Sequence, residues 1–347
     1  MKNKWFVIVN PTSGNGTSKK KWPLIFSELT KQNFDFEYVF TEYVKHSIEL
    51  FQNAIKQGFI KFICVGGDGT LHNIVNAILS LNPKNTSEIK IGIIPIGTGN
   101  DWVKTYKIPK DYKKVIEIIK ADQTIKQDIG KITLSEPKKV VFFNNLAGIG
   151  FDGFVVNKVH KFKNLGFLAY LIGALVSLTS YKKPTLKIDF NNEEIKDKTL
   201  MLLIGLCRYS GGGMRLTKNA NPIDGLFDIS YINKITLFTI LGNLPGLFNG
   251  QITNHRLVKT YKSSELNIKV LDTQETYIQA DGELIGSGDF SVESLRPLVD
   301  GMLKSPAARQ MLWDHFEPHM LNGGPEFNNN SALPQGTRVT QLRRRDN

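Results

Sequence analysis

Phe62-Ile63-Cys64-Val65-Gly66-Gly67-Asp68-Gly69-Thr70-Leu71 is the stretch from which the rest of this chain is read. Its four leading apolar residues form a buried strand, and Leu71, Ile74, Val75 and Ile78 follow at the i, i+3, i+4, i+7 spacing of a helix packed on one face. The glycines therefore lie in a strand-to-helix turn. Such a turn points unpaired helix N-terminal N–H groups outward, and without a Cβ an anion can approach the backbone closely. Phosphate is the expected guest. Asp68 would repel a bare phosphate, which points to a metal ion or to a phosphate arriving with Mg²⁺. Alone, a Gly-Gly-x-Gly stretch is equally a tight turn of any α/β protein, so the neighbouring segments have to decide.

Toward the N-terminus, residues 4–10 form an apolar strand ending in Asn10-Pro11-Thr12-Ser13-Gly14-Asn15-Gly16. Trp22, Ile25, Phe26 and Leu29 then repeat at helical spacing. Phe34, Phe36, Tyr38 and Phe40 alternate as a half-buried strand, and Ile48, Phe51, Ala54 and Ile55 mark a second helix. Beyond the central turn, residues 89–94 supply another strand, ending in Pro95-Ile96-Gly97-Thr98-Gly99-Asn100-Asp101. Tyr112, Val115, Ile116 and Ile119 form a further helix. This alternation predicts an α/β, Rossmann-like parallel sheet with helices on both faces, and ligands bind beyond the carboxyl ends of such strands. Three polar, glycine-rich loops fall at those ends: 10–16, 66–70 and 97–101.

From about residue 129 the pattern changes to short strands separated by turn signals, at 140–144, 186–190, 200–206, 227–232, 266–270 and 277–280. This predicts a second, mostly β domain of sandwich type over 129–288. The first domain, 1–128, is expected to be completed by a strand near 289–300. Residues 165–181 are nearly uncharged and flanked by lysines, at Lys158, Lys161 and Lys163 before and Lys182 and Lys183 after. About 17 residues fall short of a comfortable membrane span. A core helix and a lysine-flanked membrane-contact helix are both open readings. Residues 301–347 have no periodicity and are expected to be an irregular tail outside the site.

The 347 residues, with 41% hydrophobic and 10% aromatic content, support a globular core and two domains. Cys64 and Cys207 lie in apolar runs without metal-ligand spacing and read as core residues, which fits a reducing, cytoplasmic setting. The N-terminal apolar run is too short for a signal-peptide core and reads as the first strand. A formal net charge of +12 invites an anionic partner. No zinc-finger spacing, basic-zipper heptad or aromatic-basic RNA-binding run is present, so nucleic acid is the weaker partner class. No Walker-type loop is found either, and the phosphate grip is assigned to backbone N–H groups and hydroxyls.

Three motifs, in this order and on strand ends, resemble the catalytic domain shared by diacylglycerol, sphingosine and ceramide kinases and their soluble bacterial relatives. They are Asn10-Pro11-x-Ser13-Gly14, Gly66-Gly67-Asp68-Gly69-Thr70 and Pro95-x-Gly97-Thr98-x-Asn100-Asp101. The resemblance continues through Asn144-x-x-x-Gly148-Ile149-Gly150-Phe151-Asp152, Gly211-Gly212-Gly213-Met214, Asp224-Gly225 and Asp281-Gly282-Glu283. It covers residues 1 to about 300.

The resemblance implies that ATP lies across Asn10, Pro11, Thr12, Ser13 and Gly14, across Gly66, Gly67, Asp68, Gly69, Thr70, Leu71 and His72, and at Thr98, with Thr41 near the nucleoside. It links Mg²⁺ to Asp68, Asp101 and Asp128, and a second, structural Mg²⁺ to Asp224 with the carbonyls of Asn221 and Leu226. A hard cation with carboxylate and water ligands is what phosphoryl transfer needs between β- and γ-oxygens. From the residues alone, Asp101 is also a favourable helix N-terminal carboxylate, and Asn221-Pro222-Ile223-Asp224-Gly225 is also simply a good turn.

The family's general base matches Glu283, with Asp281 beside it. Two residues apart on an extended strand, both side chains would face the same way. The expected activity is transfer of the ATP γ-phosphate to a lipid hydroxyl, diacylglycerol first, by a peripheral protein at the inner membrane face. A homodimer is left open. The alternatives are an NAD or sugar-phosphate kinase sharing the central turn, and a non-catalytic lipid-binding regulator.

Overall fold

The computed structural model of the protein describes residues 2–81, 88–97, 99–159, 173, 176–178, 181–234, 239 and 242–303. Four parallel strands begin the fold: β1 (Lys2–Val9), β2 (Phe36–Phe40), β3 (Phe59–Gly66) and β4 (Lys90–Pro95). Between them run α1 (Thr17–Lys31), α2 (His46–Lys56) and α3 (Asp68–Ser80), and β4 is followed by α4 (Asp101–Thr105) and α5 (Tyr112–Lys120). The strands lie side by side as β2-β1-β3-β4. The order reverses between β1 and β3, so a crevice opens where Asn10 and Gly66 end their strands.

The apolar periodicities of the sequence become two cores, one on each face of this sheet. Ile8, Phe62 and Cys64 pack with Phe51, Leu71, Ile74 and Ile78 on one face. Val7, Val9, Ile63 and Val65 pack with Trp22, Ile25, Leu29, Val115 and Ile116 on the other. Burial on both faces is why β3 reads as a continuous apolar run rather than an alternating one. Phe26, at helical spacing with that set, is instead 40% exposed. Both cysteines are free and buried, as expected of core residues.

The second half is built on β5 (Thr124–Leu134), β6 (Lys139–Phe143), β7 (Leu146–Gly150), α6 (Phe151–Val159), β8 (Thr185–Phe190), β9 (Glu193–Lys198), β10 (Met201–Gly205), β11 (Tyr209–Ser210) and β12 (Met214–Arg215). It continues through β13 (Phe227–Ile232), α7 (Leu244–Asn249), β14 (Val258–Ser263), β15 (Glu265–Val270), β16 (Tyr277–Ala280), β17 (Glu283–Ser287) and β18 (Phe290–Leu303). Six of these strands form an antiparallel sheet in the order β14-β13-β10-β7-β16-β17. β11 and β12 pair only with each other, and β5, β6, β8, β9, β15 and β18 extend the first sheet to ten strands, because β18 pairs with β4, β5 and β15, and β15 leads on to β8 and β9.

The boundary expected at residue 128 falls inside β5, and the closing strand expected near 289–300 runs to Leu303. Residues 304–347 lie outside the described part. So does most of 165–181, where the helix was expected; the described residues 173 and 176–178 are helical. Among the described residues no helix is long and apolar enough to cross a membrane.

Candidate active site

Three glycine-rich corners meet at the carboxyl ends of the parallel strands. The Asn10 side-chain amide donates to Thr70 Oγ1 at 3.2 Å, tying the end of β1 to the start of α3. Its oxygen accepts from the Thr12 N–H at 3.2 Å and the Thr12 hydroxyl at 2.9 Å, and the Asn10 carbonyl accepts from the Ser13 N–H at 3.2 Å. Gly14, at φ +60°, lies so close to the third corner that a Cβ on it would stand 2.9 Å from the Ile96 carbonyl. The second and third corners touch backbone to backbone, since a Cβ on Gly97 would be 2.8 Å from Gly67 Cα. Only glycine permits that approach. Pro11 is half-buried between Asn10 and the exposed Thr12. Thr41 follows β2 and donates its N–H to the Val9 carbonyl at 2.9 Å, one strand away from Asn10. Thr98 lies outside the described residues.

Helix α3 starts at Asp68 without a side-chain cap from Gly67. The Thr70 and Leu71 N–H groups donate to the Gly67 carbonyl at 3.0 and 3.2 Å, which leaves those of Asp68 and Gly69 outside the helix ladder. Leu71 and His72, expected to touch nucleotide, turn their side chains elsewhere. Leu71 is fully buried in the core. The His72 ring pairs through Nδ1 with Asp281 Oδ2 at 3.0 Å and through Nε2 with the Asn76 side chain at 3.3 Å.

Asp68 accepts the N–H groups of Asp101 at 2.9 Å and Trp102 at 3.2 Å, so it holds the start of α4. Asp101 is bound by the Lys104 ammonium at 2.7 Å and, through Oδ2, by the Gly212 N–H of the β11–β12 turn at 2.7 Å. The two carboxylates flank Gly99, where a Cβ would lie 3.3 Å from Asp68 Oδ2 and 3.7 Å from Asp101 Oδ2. That small space beside two hard oxygen donors fits a Mg²⁺ ion, which takes one or two carboxylates and fills its shell with water and phosphate oxygens. Burial pushes the Asp68 carboxyl up to about 6, with the neighbouring charges of Asp101 and Asp281 adding to the rise and the two N–H groups opposing it. Among the described residues no three His, Cys, Asp or Glu side chains gather around a single metal position.

Asp128 belongs to a different cluster. Its Oδ2 accepts the Gly225 N–H at 2.6 Å, and its own N–H donates to the Pro222 carbonyl at 2.8 Å. Burial raises its carboxyl, while the Gly225 N–H and the Arg296 charge oppose the rise. Asp224, in the same turn, accepts the Leu226 N–H at 3.0 Å and pairs with the Lys262 ammonium at 2.9 Å. The Asn221 carbonyl faces the Asp224 N–H at 3.5 Å, and the Arg296 guanidinium donates to the Asp224 carbonyl. The metal-linked residues of the sequence thus divide into Asp68 with Asp101, and Asp128 with Asn221, Asp224 and Leu226. Positive charge is present in both groups, from Lys104 in the first and from Lys262 and Arg296 in the second.

Asp281 and Glu283 do not share a face. Asp281 and Gly282 have φ of +52° and +81° and make the two-residue turn between β16 and β17, with Ala280 opposite Glu283. Both central residues at positive φ mark a type I′ hairpin. The period-2 rule therefore does not run through this stretch. Asp281, its side chain 1% exposed, accepts the N–H groups of Asn144 at 3.1 Å, Asn145 at 2.9 Å and Leu146 at 3.2 Å as well as the His72 ring. It is a staple between α3 and the start of β7. Glu283 is free to face the crevice: a Cβ on Gly69 would lie 3.3 Å from its Oε1, and it makes no hydrogen bond or ion pair among the described residues.

Sequence spacing gave no role to Lys104, Lys262, Gln127, Arg296 or Gln279. Gln127 takes the Trp102 and Tyr106 side chains on its oxygen and donates to the Asn144 carbonyl, linking α4 to the β6–β7 connection. For Gln279 the available signal was a lone amide in the otherwise apolar run Tyr277-Ile278-Gln279-Ala280, whereas Gln127, between Lys126 and Asp128, gave none.

A parallel sheet with glycine-lined corners, and a separate six-stranded antiparallel sheet whose Glu283 carboxylate lies against Gly69 at the start of α3, define an α/β protein with a Rossmann-like half and a mostly β half. Residues 4–132 match the model of the diacylglycerol kinase catalytic domain, and residues 145–299 match that of the YegS C-terminal NAD kinase beta sandwich-like domain. The two matches run in series along the chain, a diacylglycerol kinase catalytic-type domain followed by a YegS C-terminal-type domain. It is 29% identical to a diacylglycerol kinase of Staphylococcus haemolyticus over 282 residues, 81% of this chain and 82% of that protein. It is 28% identical to a diacylglycerol kinase of Staphylococcus aureus over 325 residues, 92% of this chain and 99% of that protein. A crystal structure of a diacylglycerol kinase from Bacillus anthracis superposes with a TM-score of 0.66 at 20% identity, covering 88% of this chain and 98% of that one.

Proposed function

We propose that the protein transfers the γ-phosphate of ATP to the hydroxyl of a lipid, with diacylglycerol as the first acceptor to test. The observation that carries this reading is the Glu283 carboxylate, without a hydrogen bond or ion pair among the described residues, set against Gly69 in the first turn of α3. The backbone of the three corners and the Thr70 hydroxyl would orient the triphosphate. Mg²⁺ held by Asp68 and Asp101 would neutralise charge between β- and γ-oxygens. Glu283 would accept the proton of the lipid hydroxyl as its oxygen bonds to the γ-phosphorus and the bond to the β-phosphate oxygen breaks, releasing ADP. The hydroxyl is a weak acid, so positioning contributes most of the rate and proton transfer comes late. Asp281 would take no proton, since four donors already occupy it.

The test offers radiolabelled ATP and Mg²⁺ with diacylglycerol in phosphatidylglycerol vesicles. Glu283→Gln should cost about a hundredfold or more in turnover while a fluorescent ATP analogue binds as before. Turnover within twofold of wild type would remove Glu283 from the role of base. A folded, nucleotide-binding protein that labels no lipid but phosphorylates NAD would move the acceptor to the class handled by other kinases with this central turn. A second ion at Asn221, Asp224 and Leu226 would have to compete with the Lys262 ammonium for the Asp224 carboxylate.

A further inference from the structure

Gln279 stands in the middle of β16 between the fully buried Ile278 and Ala280, and is itself 2% exposed. Its side-chain oxygen accepts the Gly282 N–H at 2.8 Å, and its nitrogen donates to Asp152 Oδ2 at 2.5 Å. The polarity of this chain is fixed. A backbone N–H can only donate, so the amide oxygen must face Gly282; the amide nitrogen then faces Asp152, which must accept. Asp152 comes from the first turn of α6, a different element from the hairpin that it supports.

Room for its carboxylate is provided by Gly148 on β7, which lies directly opposite Gln279 in the sheet. A Cβ at Gly148 would be 2.2 Å from Asp152 Oδ2 and 3.0 Å from Leu203 Cδ2. The far end of the chain is the second residue of the type I′ turn, and the next residue is Glu283. Nothing in the phosphoryl-transfer reading uses Asp152 or Gln279, yet a buried carboxylate and amide are costly unless each is paired.

We propose that the buried Asp152–Gln279 pair is a positioning device that holds the Gly282 backbone and thereby aims Glu283 at Gly69. Gln279 and Asp152 are positioning residues; neither touches the reacting groups. The inference rests on Glu283 as the base, and the readouts are chosen to separate the two.

Four variants test it: Gln279→Leu, which removes both hydrogen bonds; Gly148→Ala, which pushes the carboxylate away without deleting any partner; Asp152→Leu; and Asp152→Asn, whose amide oxygen can still accept. Each is assayed for kcat and for KM of Mg·ATP with diacylglycerol in phosphatidylglycerol vesicles, per mole of nucleotide-binding sites so that only folded protein counts. Hydrogen exchange at the Gly282 amide is followed by mass spectrometry.

Gln279→Leu and Gly148→Ala are expected to lower kcat about tenfold to a hundredfold, leave KM for ATP within twofold, and speed Gly282 exchange at least about tenfold. Asp152→Asn should keep at least a third of the wild-type kcat. Unchanged kcat in Gln279→Leu and Gly148→Ala, with Gly282 exchange accelerated, would overturn the positioning role. Unchanged exchange would overturn the strut itself. Equal loss in Asp152→Asn and Asp152→Leu would also overturn it, because the acceptor oxygen would then not be what matters. If Glu283→Gln keeps its turnover while these variants lose theirs, the base assignment fails and the strut positions some other part of the turn.

Discussion

Asp281 and Glu283, two residues apart, have opposite fates, and the difference is one turn of backbone. Positive φ at Asp281 and Gly282 folds the first carboxylate inward, where donors saturate it, and leaves the second facing the α3 terminus. Asp152 shows what burial does without such saturation: desolvation pushes its carboxyl up to about 6, and only the Gln279 hydrogen bond opposes the rise. Its unfolded counterpart titrates near pH 4. Between these values the native state binds more protons than the unfolded one, so this group's contribution to stability falls as pH rises from about 4 to about 6. Asp152→Asn carries no titrating proton there. It should match wild type in urea denaturation near pH 4 and exceed it by about 2–3 kcal/mol at pH 7.5. A variant less stable than wild type at pH 7.5 would mean that the charged form is favoured at this site.

At the scale of elements, the three corners are fitted together by the absence of side chains. Gly97 shows this most directly, since a Cβ there would stand 2.8 Å from Gly67 Cα and 2.5 Å from Asn100 Oδ1. Backbone cannot move aside as a flexible side chain can, so Gly97→Ala should cost about 1–3 kcal/mol. It should also weaken binding of a fluorescent ATP analogue, both measurable on one preparation; wild-type affinity would show that the corners need not touch. In the Asn221–Leu226 turn the Asp224 carboxylate meets the Lys262 ammonium, and its backbone carbonyl accepts from the Arg296 guanidinium. Lys262→Met removes the ammonium while keeping the apolar stem. Calorimetric titration with MgCl₂ is expected to show tighter ion binding by that variant than by wild type, and equal affinities would exclude competition at Asp224.

Across the whole molecule, one ten-stranded sheet runs through both halves, and its long β18 pairs with strands of each. The two halves are further held by His72 with Asp281, by Asp101 with Gly212 and by Trp102 and Tyr106 with Gln127. With a formal net charge of +12, the chain should bind phosphatidylglycerol vesicles more strongly than phosphatidylcholine ones. Most of that preference should vanish between about 0.05 and 0.5 M salt, as screening predicts; a salt-independent preference in flotation assays would point to apolar insertion instead. The alternation of apolar strands and helices up to Ile119 was legible in the sequence because period-2 and period-3.6 patterns follow from local backbone geometry. The strands at 227–232 and 277–280 announced themselves in the same way. So did the three glycine corners, since close backbone approach demands that residue type. What the sequence could not determine was which of its carboxylates would be free. Asp101, Asp281 and Glu283 are alike in the chain, and only the packing of distant segments, by bringing the Gly212 N–H to Asp101 and the N–H groups of Asn144, Asn145 and Leu146 with the His72 ring to Asp281, gave these two a chemistry different from that of Glu283. The Asp152–Gln279–Gly282 chain was hidden for the same reason, because its hydrogen bond from Gln279 to Asp152 joins residues 127 positions apart and leaves no spacing to read.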